Sequence, residues 1–461
     1  MDMTSNVDQP RYRAYGRRHI ELLPQLKKLS RDQLVALKAV SAVLPFRVND
    51  FVLDHLIDWD DIPGDPIYQL TFPQAGMLEH RDFVRMQDLV VSGADSEQLA
   101  RAASAIHRRM NPHPGGQVQF NVPTVEGEPL LGCQHKYRET VLFFPAAGQT
   151  CHAYCTYCFR WPQFVHMERQ RFASHEIELL VEYLRVHTEV TDVLVTGGDP
   201  MVMSAKVLRR NIEPLLCDGL EHVTTIRIGT KALAYWPHRF ATDRDADDIL
   251  RLFERVVASG RQLALMAHLS HPRELQNPVV CDAISRIRGT GAVIRCQAPL
   301  IHHVNDRYDV WSEMWREQIR LGMVPYYMFV ERDTGPRHYF EVPLARGLRI
   351  YEQAVREVSG LARTVRGPSM SANPGKVLVT GVTTIGGQKV FVLKMIQGRD
   401  ASWVNTVFFA KFDSQAVWLD DLEAALGERE FFFERELREM KEGRWEPEWQ
   451  RDEDLAACEG A

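Results

Sequence analysis

The chain of 461 residues lacks several features that mark whole classes of protein. No apolar run approaches the length of a membrane span, and the first residues contain no apolar signal core. The formal net charge of −6 gives no support for a nucleic-acid footprint. No internal repeat or low-complexity segment is present. We therefore expect a cytoplasmic protein that neither enters a membrane nor binds nucleic acid.

Cysteine is also scarce, and most of the cysteines are isolated from one another. Such scattered thiols are interpreted as small core residues or bystanders rather than as halves of disulfides. They are Cys133, Cys217, Cys281, Cys296 and Cys458. The remaining three lie together in one stretch, TCHAYCTYCFR.

Cys151, Cys155 and Cys158 in this stretch have the spacing C-x3-C-x2-C. Three thiolates can hold three irons of a [4Fe-4S] cluster and leave the fourth iron open to a small molecule. A zinc site is the alternative, but structural zinc prefers four ligands that usually come as two close pairs. His152 lies on the wrong side of Cys155 for such a pair, so the cysteine spacing favours the cluster.

Three regions follow from the pattern of apolar residues. Residues 1–132 are predicted to be a helical region, residues 133–385 a run of alternating strands and helices, and residues 386–461 a small β/α appendage. Two capping boxes mark helix starts in the first region, Ser30 with Gln33 and Asp95 with Gln98. The appendage is predicted to contain a hairpin and a charged helix.

Six β-rich runs in the middle region predict a parallel sheet of βα units. They are residues 141–144, 192–198, 224–230, 262–269, 292–300 and 323–330. Six strands favour an α/β fold with a partial (β/α)6 TIM-like barrel. Functional groups should gather at the carboxyl ends of these strands. The cysteine stretch follows the first run there, and the turn Gly197-Gly198-Asp199-Pro200 follows the second.

Several motifs in one order together resemble the lysine 2,3-aminomutase family of radical S-adenosylmethionine (SAM) enzymes. They are GDPIYQLTFP, HKYRETVLFF, CHAYCTYCFR, VTGGDPM, RIGTKALAYWPHRF, HLSHPREL, HHVND, VPYYMF and NPGK. The resemblance implies a [4Fe-4S] cluster, SAM and pyridoxal 5′-phosphate (PLP). In that family the cluster cleaves SAM to a 5′-deoxyadenosyl radical. The radical takes a hydrogen from the β-carbon of a PLP-bound amino acid, and the nitrogen moves from the α- to the β-carbon.

The resemblance also implies a set of SAM ligands. Gly197, Gly198 and Asp199 match the turn that meets the SAM amino group, although Asp199 could instead cap a tight turn. Four further residues resemble the polar groups around the rest of SAM, and each could instead be a satisfied polar group of the core. They are Arg227, Thr230, His268 and Gln297.

For PLP, the resemblance implies Lys376 as the lysine that forms the Schiff base and Lys136 as a phosphate ligand. A surface lysine is the alternative for Lys376. The chain departs from the family pattern at two points. Thr140 occupies the position of a second phosphate arginine, and SANPGK is shorter than the usual glycine run before the lysine. The family's C-terminal cysteine cluster is missing, so we predict no zinc.

Two arginines are the predicted substrate ligands. Arg160 matches the family arginine that binds the α-carboxylate, a role that a planar guanidinium suits. Arg332 occupies the position of an aspartate that binds the distal ammonium in lysine-specific members. This swap of charge favours an acidic or neutral amino acid over lysine. A slip of one residue would place Asp333 there instead and restore lysine.

The leading interpretation is therefore an amino-acid 2,3-aminomutase that takes electrons from a donor such as flavodoxin or ferredoxin and forms a homo-oligomer. The alternatives are lysine 2,3-aminomutase proper, a radical SAM enzyme without PLP on the same scaffold, and a metal-bearing structural or interaction module without catalysis. Reductive cleavage of SAM separates the last from the enzymes.

The cluster interpretation predicts about four irons and four sulfides per chain in anaerobically purified protein. Cys151→Ala, Cys155→Ala and Cys158→Ala should each remove the cluster, whereas Cys133→Ala and Cys458→Ala should leave the iron content unchanged. A triple variant of the motif that keeps a full iron load would contradict the assignment.

Overall fold

The computed structural model describes residues 12–110, 121–125, 127–165 and 173–443. Its strands are β1 (Ala14–Gly16), β2 (Arg47–Asn49), β3 (Thr124–Val125), β4 (Glu128–Pro129), β5 (Cys133–Tyr137), β6 (Thr140–Phe143), β7 (Asp192–Val195), β8 (Thr225–Thr230), β9 (Gln262–His268), β10 (Val293–Leu300), β11 (Val324–Val330), β12 (Arg366–Ser371), β13 (Gly375–Ile385), β14 (Gln388–Gly398) and β15 (Val407–Lys411).

The α-helices alternate with these strands through the middle of the chain. They are α1 (Arg31–Val40), α2 (Pro66–Thr71), α3 (His80–Val91), α4 (Ser96–Met110), α5 (Trp161–Phe164), α6 (Ile177–Val186), α7 (Ala205–Ile212), α8 (Ala232–Tyr235), α9 (His238–Ala241), α10 (Ala246–Ala258), α11 (Pro278–Gly289), α12 (Tyr308–Arg320), α13 (Arg337–Phe340), α14 (Leu344–Arg356) and α15 (Glu434–Lys441).

One sheet of 11 strands organises the molecule, in the order β15-β14-β13-β12-β11-β10-β9-β8-β7-β6-β5. Strands β6 to β12 are parallel and follow one another in chain order. Antiparallel strands extend both ends, β5 beside β6 and β13 to β15 beside β12. All six predicted runs form parallel strands with helices between them, so the predicted α/β class is confirmed.

The predicted strand 192–198 is too long, because β7 ends at Val195. Gly197 follows with a φ of +153°, a backbone conformation that favours glycine. The chain therefore leaves the sheet at the carboxyl end of β7, where functional groups were expected.

A seventh parallel strand, β12, was not predicted. Its sequence RGPSMS contains glycine, proline and serine, which give little local signal for a strand. The predicted hairpin of the appendage is confirmed as β14 and β15. However, β14 also pairs with β13, so the sheet continues across the predicted boundary between residues 385 and 386. The domain boundaries stay a prediction.

The N-terminal region has the two predicted capping boxes. The Ser30 N–H donates to Gln33 Oε1 at 2.8 Å, and the Gln33 N–H donates to Ser30 Oγ at 3.2 Å. Asp95 and Gln98 exchange the same two bonds at 3.0 and 2.8 Å. Two short pairs of antiparallel strands, β1 with β2 and β3 with β4, were not predicted there.

Two apolar cores lie against the sheet. The larger extends from Ile20 to Val365, and the smaller joins α14 to β13, β14, β15 and the following α15. Within the described ranges, no helix is long and apolar enough to cross a membrane.

Candidate active site

The three cysteines of the motif lie together in the segment between β6 and α5, and none forms a disulfide. Burial raises the pKa of Cys155 to about 12 and that of Cys158 to about 11. Burial also raises the pKa of Cys151 well above its usual value, and the neighbouring Cys158 adds to this effect. Thiols that act on one another in this way fit a cluster, because iron stabilises the thiolate form.

In the portion of the chain that the structure describes, no three His, Cys, Asp or Glu side chains converge as ligands of one ion. A cluster does not need that convergence, since its thiolates bind different irons. Of the isolated thiols, Cys133 and Cys296 are buried, and Cys458 lies outside the described residues.

Arg160 lies beside these thiols, at the start of α5. Burial lowers its pKa to about 10, while Cys158 and Cys151 act in the opposite direction. Its guanidinium carbon lies 4.4 Å from the centroid of the Phe144 ring, and its Nη2 donates to Gln163 Oε1 at 3.1 Å. Its Nε is buried and has no hydrogen-bond partner among the described residues. This donor fits the predicted role of a carboxylate ligand.

The Gly197–Asp199 turn packs directly against the chain that enters the cysteine motif. A Cβ on Gly198 would lie 2.3 Å from the backbone oxygen of Thr150, so only glycine fits there. The Gly198 N–H donates to Gly148 O at 2.9 Å, and the Asp199 N–H donates to Thr150 O at 2.8 Å. The turn therefore lies next to Cys151, as the sequence predicted.

The Asp199 carboxylate is fully engaged within the protein. It accepts hydrogen bonds from His152 Nε2 at 3.0 Å and Thr230 Oγ1 at 2.8 Å. The backbone N–H groups of Lys231 and Met201 donate to it at 2.8 and 2.9 Å. Burial alone would raise the pKa of Asp199, but these partners lower it. Asp199 thus caps the turn, the alternative weighed above, and a direct contact with SAM stays a prediction.

Thr230, His268 and Gln297 gather around this turn. His268 Nε2 lies 2.9 Å from Gln297 Nε2, and Lys231 Nζ lies 3.4 Å from His268 O. Burial, together with the Lys231 charge, lowers the pKa of His268 to about 4. The imidazole is therefore neutral at pH 7 and can offer one donor and one acceptor.

Arg227 is not part of this group. Its guanidinium forms a two-pronged ion pair with Asp192, with Nε donating to Oδ1 at 2.8 Å. The positive charge of Arg227 instead lowers the pKa of Lys376. Asp192, at the start of β7, holds the long side chain of Arg227, and a contact between Arg227 and SAM stays a prediction.

Lys376 is partly buried at the start of β13. Its Nζ donates to Gln397 Oε1 at 2.6 Å and lies 5.3 and 5.2 Å from the ring centroids of Tyr137 and Tyr327. Burial and, to a smaller extent, the charges of Arg227 and Arg366 lower its pKa to about 7. A large share of Lys376 is therefore a neutral amine at physiological pH, which suits attack on an aldehyde. These groups fit PLP.

Lys136 lies in the same buried pocket. Its Nζ donates to the backbone oxygen of Ala372 at 2.6 Å. Burial lowers its pKa well below the usual value, and Arg399, Arg332 and Lys376 act in the same direction. The pocket thus collects positive charge, which fits a phosphate or a carboxylate ligand.

Arg332 occupies one wall of this pocket. Its guanidinium carbon lies 5.4 Å from the ring centroid of Phe159 and 5.7 Å from that of Trp418. Its Nε lies 3.7 Å from Asp333 Oδ1 and has no hydrogen-bond partner within the described part of the chain. The charge of Arg332 lowers the pKa of both Lys136 and Tyr137, and its role as a substrate ligand stays a prediction.

The sequence analysis missed several residues of the pocket. Glu331 is buried, and burial raises the pKa of its carboxyl well above the usual value. It is close enough to Cys158 to raise the pKa of that thiol. The motifs HKY and VPYYMF could have drawn attention to Tyr137 and Tyr327. No sequence signal identified Gln397 or Arg399, which lie beyond the motifs.

Comparisons with known proteins give one consistent family. The chain is 28% identical over 397 residues to a "Putative L-lysine 2,3-aminomutase" of Aquifex aeolicus, covering 86% of this chain and 92% of that protein. It is 24% identical over 360 residues to the L-lysine 2,3-aminomutase of Clostridium subterminale, covering 77% and 74% of the two chains. It is 26% identical over 238 residues to that of Bacillus subtilis, covering 51% and 47%. No protein-family model matches the chain.

The lowered pKa of Lys376 predicts how its reactivity depends on pH. The amine is protonated below its pKa of about 7 and neutral above it, so acetylation of Lys376 should rise between about pH 6 and about pH 8 and then level off. A free lysine amine would show its midpoint near pH 10.4. Competitive acetic anhydride labelling, read by peptide mass spectrometry, measures this midpoint.

Gln397→Glu provides a matched variant for this measurement. It places a negative charge 2.6 Å from the amine and should move the midpoint upward. A wild-type midpoint near that of a free lysine would contradict the buried, neutral amine.

Proposed function

We propose that this chain, which is similar to L-lysine 2,3-aminomutases over most of its length, is a PLP-dependent amino-acid 2,3-aminomutase of the radical SAM type. Its reaction moves the α-amino group of the substrate to the β-carbon. We further propose that the substrate is an acidic or neutral amino acid. The parallel part of the sheet, β6 to β12, is proposed to curve as a partial TIM-like barrel around this reaction.

The cofactors supply the difficult chemistry when bound: the cluster and SAM provide a carbon-centred radical, and PLP provides the electron-accepting ring beside the migrating nitrogen. Cys151, Cys155 and Cys158 would hold the cluster. The backbone of the Gly197–Asp199 turn is the proposed contact for SAM, because the Asp199 carboxylate already accepts hydrogen bonds from His152 and Thr230.

The pocket residues bind and orient the substrate. Lys376 offers the neutral amine that would hold the PLP aldehyde, and the rings of Tyr137 and Tyr327 restrict the position of that amine. Arg160 offers its Nε to the α-carboxylate from beside the cysteine loop. Burial of these groups excludes water from the site, which protects a radical reaction from side reactions.

The observation that carries this proposal is a set of contacts between the cysteine loop and Lys376. The guanidinium carbon of Arg332 lies 5.4 Å from the ring centroid of Phe159, the residue after Cys158. Lys136 Nζ and Lys376 Nζ each lie 5.3 Å from the ring centroid of Tyr137, and the charge of Arg332 also lowers the pKa of Lys136. The chain therefore brings a cluster motif and a low-pKa lysine into one site, although they are far apart in sequence.

The positive charge of the pocket supports an acidic or neutral substrate. A lysine ammonium beside Arg332 would meet a like charge in a partly desolvated space, at a cost on the order of several kcal/mol. A carboxylate or amide would instead accept a charge-assisted hydrogen bond from it, worth roughly 1.5–3 kcal/mol. Arg332 Nε, which lacks a partner among the described residues, is the available donor.

Lysine is the second candidate, and two acidic groups favour it. Asp333 lies 3.7 Å from Arg332, and Glu331 is buried next to it. However, burial raises the pKa of Glu331 well above its usual value, which disfavours the charged carboxylate that would attract a lysine ammonium. For this reason the arginine is expected to decide the preference.

The proposal predicts the substrate ranking of the anaerobically reconstituted enzyme. With SAM, PLP and a reductant, glutamate-like or neutral amino acids should give β-amino-acid products faster than lysine. Arg332→Asp should shift the preference toward basic side chains, by roughly ten- to a hundredfold in relative kcat/KM. Mass spectrometry of derivatised products measures both rankings.

Arg337→Asp is a matched control for this charge change, because Arg337 pairs with Glu341 and Asp421 at the surface. It should leave the ranking unaltered. Efficient conversion of lysine by the wild type, or an unaltered ranking in Arg332→Asp, would overturn the assigned substrate class. Cleavage of SAM without any shifted nitrogen would overturn the aminomutase itself.

A further inference from the structure

Two cations bind neighbouring carbonyl groups in the short segment that leads to Lys376. Lys136 Nζ donates to Ala372 O at 2.6 Å. Arg399 Nε donates to Asn373 O at 2.9 Å, and its Nη2 donates to Asn373 Oδ1 at 3.2 Å. Both cations therefore contact the segment 372–376, at two consecutive residues.

Arg399 reaches this place from the end of β14. The strand pairs Lys376 with Gln397 and Gly375 with Gly398, which brings the next residue against the lysine segment. The Arg399 N–H donates to Pro374 O at 3.0 Å and fixes the backbone there. Only 8% of Arg399 is exposed, so its guanidinium belongs to the interior of the site.

The position expected to supply a second phosphate ligand does not serve that purpose. Thr140 Oγ1 donates to Asp192 Oδ2 at 3.0 Å, the carboxylate that also holds Arg227. The hydroxyl of Thr140, at the start of β6, is thus already hydrogen-bonded to the carboxylate of the Arg227–Asp192 ion pair. Lys136 needs another cationic partner if the pocket is to bind a phosphate dianion.

We propose that Arg399 is that partner, and that Arg399 and Lys136 together bind the phosphate group of PLP. This assignment rests on the proposed function. A guanidinium and an ammonium on one side of a buried pocket match a phosphate monoester in charge, and the planar guanidinium can donate to two phosphate oxygens. The charge of Arg399 also lowers the pKa of Lys136, which shows that the two cations are close. The C-terminal hairpin thereby completes the cofactor site.

The test compares PLP with pyridoxal, which has the same aldehyde but lacks the phosphate. Each is titrated into the full-length protein, and binding is followed by visible absorbance. Arg399→Met should weaken PLP binding by roughly ten- to a hundredfold, the loss expected for charge-assisted hydrogen bonds, and should leave pyridoxal binding within about threefold. Arg399→Lys, which keeps the charge but loses the planar fork, should give an intermediate loss.

Arg363→Met is the matched control, because Arg363 also binds a backbone oxygen, that of Val358 at 3.0 Å, but on the exposed surface. It should leave both affinities unchanged. Equal weakening of PLP and pyridoxal by Arg399→Met would overturn the assignment, since Arg399 would then only support the segment. Unchanged PLP affinity would overturn it as well. Failure of the wild type to bind PLP at all would instead overturn the proposed function, and this assignment with it.

Discussion

Buried positive charge around Lys376 is the constraint on which the site depends. Burial of a cation is costly unless the group is paired or gives up its proton. The pKa values of Lys376 and Lys136 are lowered, whereas Arg227 keeps its charge in an ion pair with Asp192. A pocket with this surplus binds anions readily and rejects additional cations. The same constraint therefore supports all three proposals: Lys376 as the nucleophilic lysine, a phosphate site beside it and a substrate other than lysine.

The sheet creates this concentration of charge because it joins strands from distant parts of the sequence. Lys136 comes from β5, at one end of the sheet, and Lys376 from β13, near the other. The Lys136 ammonium nevertheless binds Ala372 O, next to the lysine segment. The cysteine loop enters from the carboxyl end of β6, and Glu331 and Arg332 follow the carboxyl end of β11. The order of the strands therefore brings candidate cofactor ligands from distant parts of the chain close together.

The sequence predicted the elements that have a strong local signal. The six parallel strands are apolar and β-branched, and Ser30 and Asp95 mark helix starts by capping chemistry. Strand β12 escaped prediction because Gly367, Pro368 and Ser369 carry little strand propensity, and its place depends on pairing with β11. Among the site residues, the ion pair of Arg227 with Asp192 was not predicted, since a position on a strand does not reveal which carboxylate a long side chain will reach. Arg399 was missed because only the pairing of β13 with β14 brings it to Lys376.

The central claim is that Lys376 is the PLP lysine of this buried pocket, and covalent trapping tests it most directly. The reconstituted protein is incubated with PLP, reduced with borohydride and digested, and the modified peptide is identified by mass spectrometry. We expect Lys376 to be the one modified lysine. In Lys376→Ala we expect no modification at this position and an intact iron content. Modification of Lys389 or Lys394 instead, or of no lysine at all, would contradict it.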